Sequence, residues 1–344
     1  MSTPPTGGPA DRYGPSRGRH VASDNPLRVG QRVVVRHRRP AGSHPPLTDV
    51  VGTVVALDDI SVTVATVRGE VVVARADFVA VKAVPPAPVR RGRPHQAIGA
   101  TDLERVMSDG WRAVEEEWQG GWLLRASSGF THRGNSVLSL GEPGGTLDAA
   151  ISSAERWYAA RDLPPKWQLP LPAGGEAAEG ALGAQLMSRG YTVRLPTLVM
   201  TGASSDVTAL TESSVLVTVD ASLTMPWLEA YARQRTIVPG VTEQLLTSSA
   251  GQLFASVTAK GGRVVAVARM SVHPGWGGLQ ALWVDPDRRG RGTGRTLVQA
   301  LAALARDNRM PSMFLQVEQD NDAAIALYRS VGFTTHHTYV YLSR

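Results

Sequence analysis

Arg288 to Val298 reads RRGRGTGRTLV, with glycines at 290, 292 and 294 set among arginines 288, 289, 291 and 295. Glycines without side chains let backbone N–H groups converge on an anion. A helix opening at Thr293 would add free amides and the positive end of its dipole. The arginines add charge, so this residue set is suited to hold a phosphate. Three phosphate loops compete for the pattern. A Walker loop needs G-x-x-x-x-G-K-[ST], but the span from Gly290 to Gly294 is one residue short, and Arg295 follows. A dinucleotide fingerprint needs G-x-G-x-x-G, and Leu297 stands where its third glycine should be. Leu297, Leu301 and Leu304 share one helical face, which would anchor the helix to a sheet.

The third pattern is met. VDPDRRGRGTG (Val284–Gly294) resembles the acetyl-CoA loop of the GNAT N-acetyltransferase superfamily, [RQ]-x-x-G-x-[GA], through Arg289, Gly292 and Gly294. LQVEQDNDAAIALYRSVGF (Leu315–Phe333) is similar to the second signature of that superfamily. Asn321, Ala324, Leu327, Tyr328, Gly332 and Phe333 fall in its register. The close resemblance covers Leu279–Phe333. It implies acetyl-CoA as acyl donor, held at Leu282, Trp283, Val284, Arg289, Gly290, Arg291, Gly292, Thr293, Gly294, Arg295 and Asn321. It further implies that the strand ALWV splays from MFLQV, leaving amides for the pantetheine arm and thioester. An amine would then attack the thioester directly.

By family position Tyr328 is the general acid, since a phenol of ordinary pKa about 10 can protonate a thiolate near 8.5. Its bland reading is a buried tyrosine tying helix to sheet. Asn321 reads equally as an ordinary helix N-cap. Relatives that acetylate ribosomal-protein alanines carry Glu where this chain has Gln316, which cannot accept a proton. Glu318, two residues on and so on the same strand face, is the substitute, and water is the alternative base. The acceptor is an amine of a small molecule, peptide or protein. GFTHRGNS (Gly129–Ser136) offers Arg133 and Asn135 as its anchors, in a pocket between the hairpins, the first half and TYVYL.

The elements needed to position these residues occur twice. The second half has strand LQALWV, the glycine loop, helix GRTLVQALAALARDN, strand SMFLQVE, helix DNDAAIALYRSVGF and strand TYVYL. The first has NSVLSL, TLDAAISSAERWYAARD, KWQLPL, AEGALGAQLMSRGY and TVRLPTLVM in the same order, and a hairpin pattern with a Gly-Gly turn precedes each set. In the first half the cradle's place is taken by GEPGGT (Gly141–Thr146), whose glutamate repels phosphate and whose proline lacks an amide donor. Upstream, five short β-rich runs between Pro26 and Pro85 resemble a Src-homology-3-like barrel. The expected fold is α/β with mixed sheets, two tandem GNAT-like domains preceded by a small all-β barrel. This arrangement is similar to tandem acetyltransferases of the mycothiol-synthase kind. The expected domains are a disordered basic tail (1–25), the barrel (26–85), a linker (86–98), a degenerate GNAT-like domain (99–205) and a catalytic one (206–344).

Composition bounds the rest. With 42% apolar and 19% charged residues the chain is not wholly disordered. The first residues lack the apolar core of a secretory signal, and no stretch reaches the roughly 18 apolar residues of a membrane helix, so a cytoplasmic location is expected. The chain has no cysteine, which removes disulfides, thiolate metal sites and a cysteine nucleophile. Only His336 and His337 are adjacent histidines, and strand neighbours point to opposite faces, so no metal site is expected. Up to Thr48, arginines 12, 17, 19, 28, 32, 36, 38 and 39 against Asp11 and Asp24 account for the whole net charge of +6. Such a basic tail can attract nucleic acid or an acidic protein. Two further functions are therefore open at this point: a non-catalytic acyl-CoA-binding regulator, motivated by Gln316, and a nucleic-acid or protein adaptor.

Overall fold

A computed structural model describes residues 27–84, 92–207 and 215–344. The expected disordered tail, both end residues of the expected barrel (26 and 85) and residues 86–91 of the expected linker lie outside the described residues. The chain divides into two compact units, 1–82 and 83–344.

The first unit is all β, as its sequence texture predicts. Strands β1 (Arg32–Arg38), β2 (Leu47–Leu57), β3 (Ser61–Thr66), β4 (Gly69–Ala74) and β5 (Phe78–Ala83) form a sheet in the order β4-β3-β2-β1-β5. Alternate residues turn inward, and Val33, Val35, Val54, Val62, Val64 and Val73 make its core.

The second unit opens with α1 (Pro94–Ala97), α2 (Ala100–Asp109), β6 (Glu115–Gln119), β7 (Trp122–Ala126), β8 (Val137–Ser139) and α3 (Leu147–Ala159). It continues through β9 (Lys166–Leu171), α4 (Ala181–Ser188), β10 (Thr192–Ala203), α5 (Ser204–Val207), β11 (Val217–Asp220), α6 (Met225–Ala232) and α7 (Val241–Leu246). Then follow β12 (Gln252–Thr258), β13 (Val264–His273), β14 (Trp276–Val284), α8 (Thr293–Asp307), β15 (Ser312–Glu318), α9 (Asp322–Ser330) and β16 (Thr334–Ser343). Both repeats of the sequence pattern thus become strand, helix, strand, helix, strand.

They share one sheet of eleven strands, ordered β11-β12-β13-β14-β15-β10-β16-β9-β8-β7-β6. Around its centre the two repeats have exchanged their last strands. Strand β10 of the first repeat pairs with β15 of the second, from Thr197 opposite Glu318 to Ala203 opposite Ser312. Strand β16 of the second pairs with β9 of the first, from Thr338 opposite Leu171 to Ser343 opposite Lys166. The pattern boundary near residue 205 therefore does not separate two sheets. Helix α8 seals the second repeat by burying Leu297, Val298, Leu301 and Ala302 in a core that includes Met270, Leu279 and Met313. Each fully buried leucine is worth about 1.5–3 kcal/mol of hydrophobic stabilisation. In the first repeat α3 does the same with Ile151, Ala154 and Tyr158, in a core that includes Trp122 and Trp167. Among the described residues no helix is long and apolar enough to cross a membrane.

Candidate functional site

The site begins where two parallel strands part. Strands β14 and β15 pair from Trp276–Ser312 to Leu279–Leu315 and no further. On its other side β14 bulges: Ala281 and Leu282 together face Ala268 of β13, and Ala281 takes a φ of +53°. A bulge of this kind twists a strand away from its partner and leaves ladder groups unpaired. Beyond Leu279 and Leu315 the strands diverge and a cleft of about 360 Å³ opens between them.

At the end of β14 the chain turns through Asp285, whose buried carboxylate accepts from the Asp287 amide at 3.2 Å and pairs with Arg263. The glycine loop follows. Gly290 and Gly292 have φ of +71° and +80°, and a Cβ built on either would meet nothing within 4 Å. The loop is thus an open cradle rather than a packed turn, with the room that a pyrophosphate needs. Gly292 caps α8 without any side-chain hydrogen bond, so the helix does not spend its first amides on a side chain of its own. Arg289 Nε donates to Val284 O at 3.1 Å and Arg295 to Ser330 Oγ at 2.9 Å, which fixes both ends of the loop. No carboxylate among the described residues pairs with Arg288, Arg289, Arg291 or Arg295.

The predicted residues separate into three groups. Leu282, Asn321, Glu318, Tyr328 and Arg133 all line the cleft. Tyr328, on α9, is 7% exposed and stacks edge-on to Phe333 at 6.1 Å, and its hydroxyl bonds to no described residue. Burial raises its phenol above the ordinary value, which keeps it protonated. Asn321 caps α9, accepting from the Ala324 amide at 3.1 Å, so its capping role is realised at the cleft's edge. Arg289 to Arg295 form the cradle. Trp283 and Val284 present no side chain to the cleft: Trp283 belongs to the core cluster of Trp227 and Phe254, and Val284 packs on the core under α8.

Asn135 is not at the cleft. Its Oδ1 accepts from the Ser127 and Gly129 amides at 2.8 and 2.9 Å, and its Nδ2 donates to Phe130 O and Thr131 O at 2.8 and 2.9 Å. Every hydrogen-bonding site of its amide that the turn can use is taken, so Asn135 shapes the loop that carries Arg133. A second expectation also changes. His336 and His337 do not point apart, because β16 bulges at His336 opposite Val199 and Met200, and their Nδ1 atoms lie 2.9 Å apart. His337 Nε2 then meets buried Glu104 Oε1 at 3.0 Å, and His336 Nε2 meets Ile98 O at 3.0 Å. Among the described residues no group of three or more His, Asp or Glu could hold a metal.

Gln316, expected to stand where the ribosomal-protein alanine acetyltransferases carry glutamate, is clamped. It accepts from Arg133 Nη1 and its Nε2 lies 3.0 Å from Met107 Sδ. Trp111, Tyr231, Arg235, Tyr339 and Tyr341 complete the wall facing β14 and β15. Of these, motif reasoning reaches only the TYVYL tyrosines. Trp111 and Arg235 come from loops without sequence signature, and α2, which carries Met107, belongs to neither repeat pattern.

Comparison with known proteins follows the same division. Residues 100–342 match the family described as "Probable histone acetyltransferase Rv0428c C-terminal". Residues 27–82 match "Rv0428c N-terminal Sm-like domain", so the first unit is Sm-like rather than Src-homology-3-like. The expected small all-β domain stands, and only its finer label changes, because small sheets of alternating strands carry little sequence signature. The protein "Probable histone acetyltransferase Rv0428c" of Mycobacterium tuberculosis is 34% identical over 330 residues, 91% of this chain and 95% of that protein. A GCN5-related N-acetyltransferase from Kribbella flavida has the same fold (TM-score 0.52, 17% identity, 71% of this chain and 95% of that one). So does a tandem GNAT protein from the clavulanic acid biosynthesis pathway (TM-score 0.50, 11% identity, 72% and 88%).

Proposed function

Because this chain belongs to the Rv0428c acetyltransferase family and is a GNAT N-acetyltransferase that takes its acetyl group from acetyl-CoA, we propose that the cleft between β14 and β15 is where a primary amine receives that group. The observation that carries the reading is a coincidence of place. The strand that parts from its parallel neighbour also ends in the open glycine cradle, and Tyr328 stands in the wall between.

Bound acetyl-CoA supplies an acyl group activated as a thioester. Gly290, Gly292 and Gly294, with Arg289, Arg291, Arg295 and the first amides of α8 at Thr293, hold the pyrophosphate. Backbone groups of Leu282, Trp283 and Val284 face the pantetheine arm, and the side chains of the last two only stiffen the strand. Arg133 orients the acceptor. As the C–N bond forms and the C–S bond breaks, Tyr328 gives its proton to the sulfur, and burial preserves that proton until it is needed. The amine's proton leaves through Glu318 or through water. Residues 206–344 form the catalytic half, and 99–205 form a degenerate half that supplies Arg133 and strand β10.

A second acceptor class, a protein amine, is favoured by the Mycobacterium tuberculosis relative, named as a probable histone acetyltransferase. The regulator and adaptor readings give way to the enzyme. A screen of amino acids, polyamines, antibiotics, peptide N-termini and histone peptides, read by release of free CoA thiol, tests the reading. Amine-dependent release is expected; binding of acetyl-CoA with no release for any amine would refute it.

A further inference from the structure

The cleft's acceptor end carries positive charge that no described residue neutralises. Arg133 lies over the Trp111 ring at 5.0 Å and binds the neutral Gln316. Arg235, exposed on the segment after α6, lines the same cleft. Neither is in an ion pair among the described residues. Beneath them Arg269 is fully buried and donates only to neutral oxygens: Leu246 O at 2.7 Å, Gly110 O at 2.9 Å, Ser249 Oγ at 2.7 Å and the Gln280 side chain. Burial first, then the like charge of Arg133, brings Arg269 down to about 9.

The negative groups nearby do not cancel this charge. Glu318, exposed, is the cleft-lining carboxylate; it lies two residues beyond Gln316 on β15 and makes no ion pair with Arg133 or Arg235 among the described residues. Glu104 lies below, in an adjoining cavity of about 10 Å³, bonded to His337 and to Gln168 Nε2 at 3.0 Å. Buried Arg125 bonds the same Gln168 at 2.8 Å and Ser136 Oγ at 2.8 Å, and so accompanies that carboxylate. His132, also in the wall, is held toward its neutral form by burial and by the neighbouring charges of Lys166 and Arg235. Guanidinium groups left without a counter-charge in a partly enclosed cleft are stabilised by an anion, and their forked donors match carboxylate and phosphate oxygens.

We propose that the acceptor is a primary amine that carries its own anionic group, a carboxylate or a phosphate, gripped by Arg133 and Arg235 while the amine reaches the parting of β14 and β15. This rests on the cleft being the acceptor site. The same charges disfavour a lysine-rich peptide.

The test uses the full chain and matched acceptors, read by CoA release: α-amino acids against their carboxamides, phosphoethanolamine against ethanolamine, and a lysine-rich peptide. One or both anionic members should exceed their neutral partners in kcat/KM by roughly ten- to hundredfold, the range of a hydrogen bond to a charged group. The arm with the larger ratio identifies carboxylate or phosphate. Added salt should shrink the ratio, because Arg235 is exposed. Arg235→Gln should reduce it and Arg235→Glu should bring it to one or below, with acetyl-CoA affinity by calorimetry kept within about twofold. A loss of fold alone would lower both members of a pair together. Neutral partners or the lysine-rich peptide turned over as well as the anionic amines, or a ratio untouched by both variants, would overturn the proposal while leaving the acetyltransfer reading intact. No release with any probe, despite acetyl-CoA binding, would remove the acceptor-site reading and this proposal with it.

Discussion

The two repeats place a glycine-rich loop at the same point, after the strand that ends before a long helix, and only one loop stands clear of the hairpin turn beside it. In the first repeat the Gly120–Gly121 hairpin turn packs against Gly141–Thr146. The Gly121 amide donates to Glu142 O at 2.6 Å, and a Cβ on Gly120 would come within 2.4 Å of Pro143 C. Thr146 then caps α3, accepting from the Ala149 amide at 3.4 Å. In the second repeat the corresponding hairpin turn, Gly261–Gly262, is clear: a Cβ on either glycine would meet nothing within 4 Å. The loop at Gly290 and Gly292 is equally clear, and α8 starts on a glycine without a side-chain cap. The difference extends to the second helix. Phe333 N bonds Tyr328 O at 3.0 Å just as Tyr191 N bonds Leu186 O at 3.1 Å, so Leu186 occupies the place of Tyr328 and is fully buried. One repeat has an uncapped helix start and a phenol at the cleft wall; the other has a threonine-capped helix and a leucine buried in its core.

Substitutions can break this comparison. The largest effect is expected at the cradle: Gly292→Glu forces a side chain into the left-handed region and adds a like charge, and calorimetry should find acetyl-CoA binding lost. Gly145→Glu, in the first repeat's loop where a Cβ also meets nothing and φ is ordinary, should leave the affinity within about twofold. Equal losses at both glycines would mean that the first loop also binds. Next, Tyr328→Phe should cut kcat by roughly 10²–10⁴-fold with acetyl-CoA affinity nearly unchanged. Leu186→Tyr should bring no activity and cost about 1–3 kcal/mol in a urea melt, because it overpacks a sealed core. Thr146→Ala should cost about 1 kcal/mol by the same melt, since α3 depends on that cap. The mildest test is a profile against pH. Burial disfavours phenolate, so the raised Tyr328 pKa means that its acid form persists upward in pH; kcat/KM should rise as the amine loses its proton and show no fall below about pH 10. A descending limb near pH 8–9 would assign the acid elsewhere.

How much of this is readable from the chain depends on whether the signal is local. The cradle is, because three alternate glycines and a following amphipathic helix are consecutive in the chain. So is Tyr328, fixed by its distance from Gly332 and Phe333. Asn135 misleads because a polar residue in a turn looks the same whether it faces a ligand or its own backbone. The adjacent histidines mislead because alternation assumes a regular strand, and the bulge at His336 depends on the register of β10 against β16. Trp111, Arg235 and Glu104 carry no local signal at all.

The sequence by itself determined the repeats, their elements and the glycine cradle against GEPGGT through residues a few positions apart, and the thioester chemistry through the family that its two signatures resemble. Only the tertiary structure decided that the repeats exchange β10 and β16, that Arg133 crosses to Gln316 183 positions away in the chain, and that Arg133 and Arg235 line one cleft. Those outcomes depend on which strands become neighbours and which charges stay unpaired, and long-range pairing leaves no periodicity in the chain that makes it.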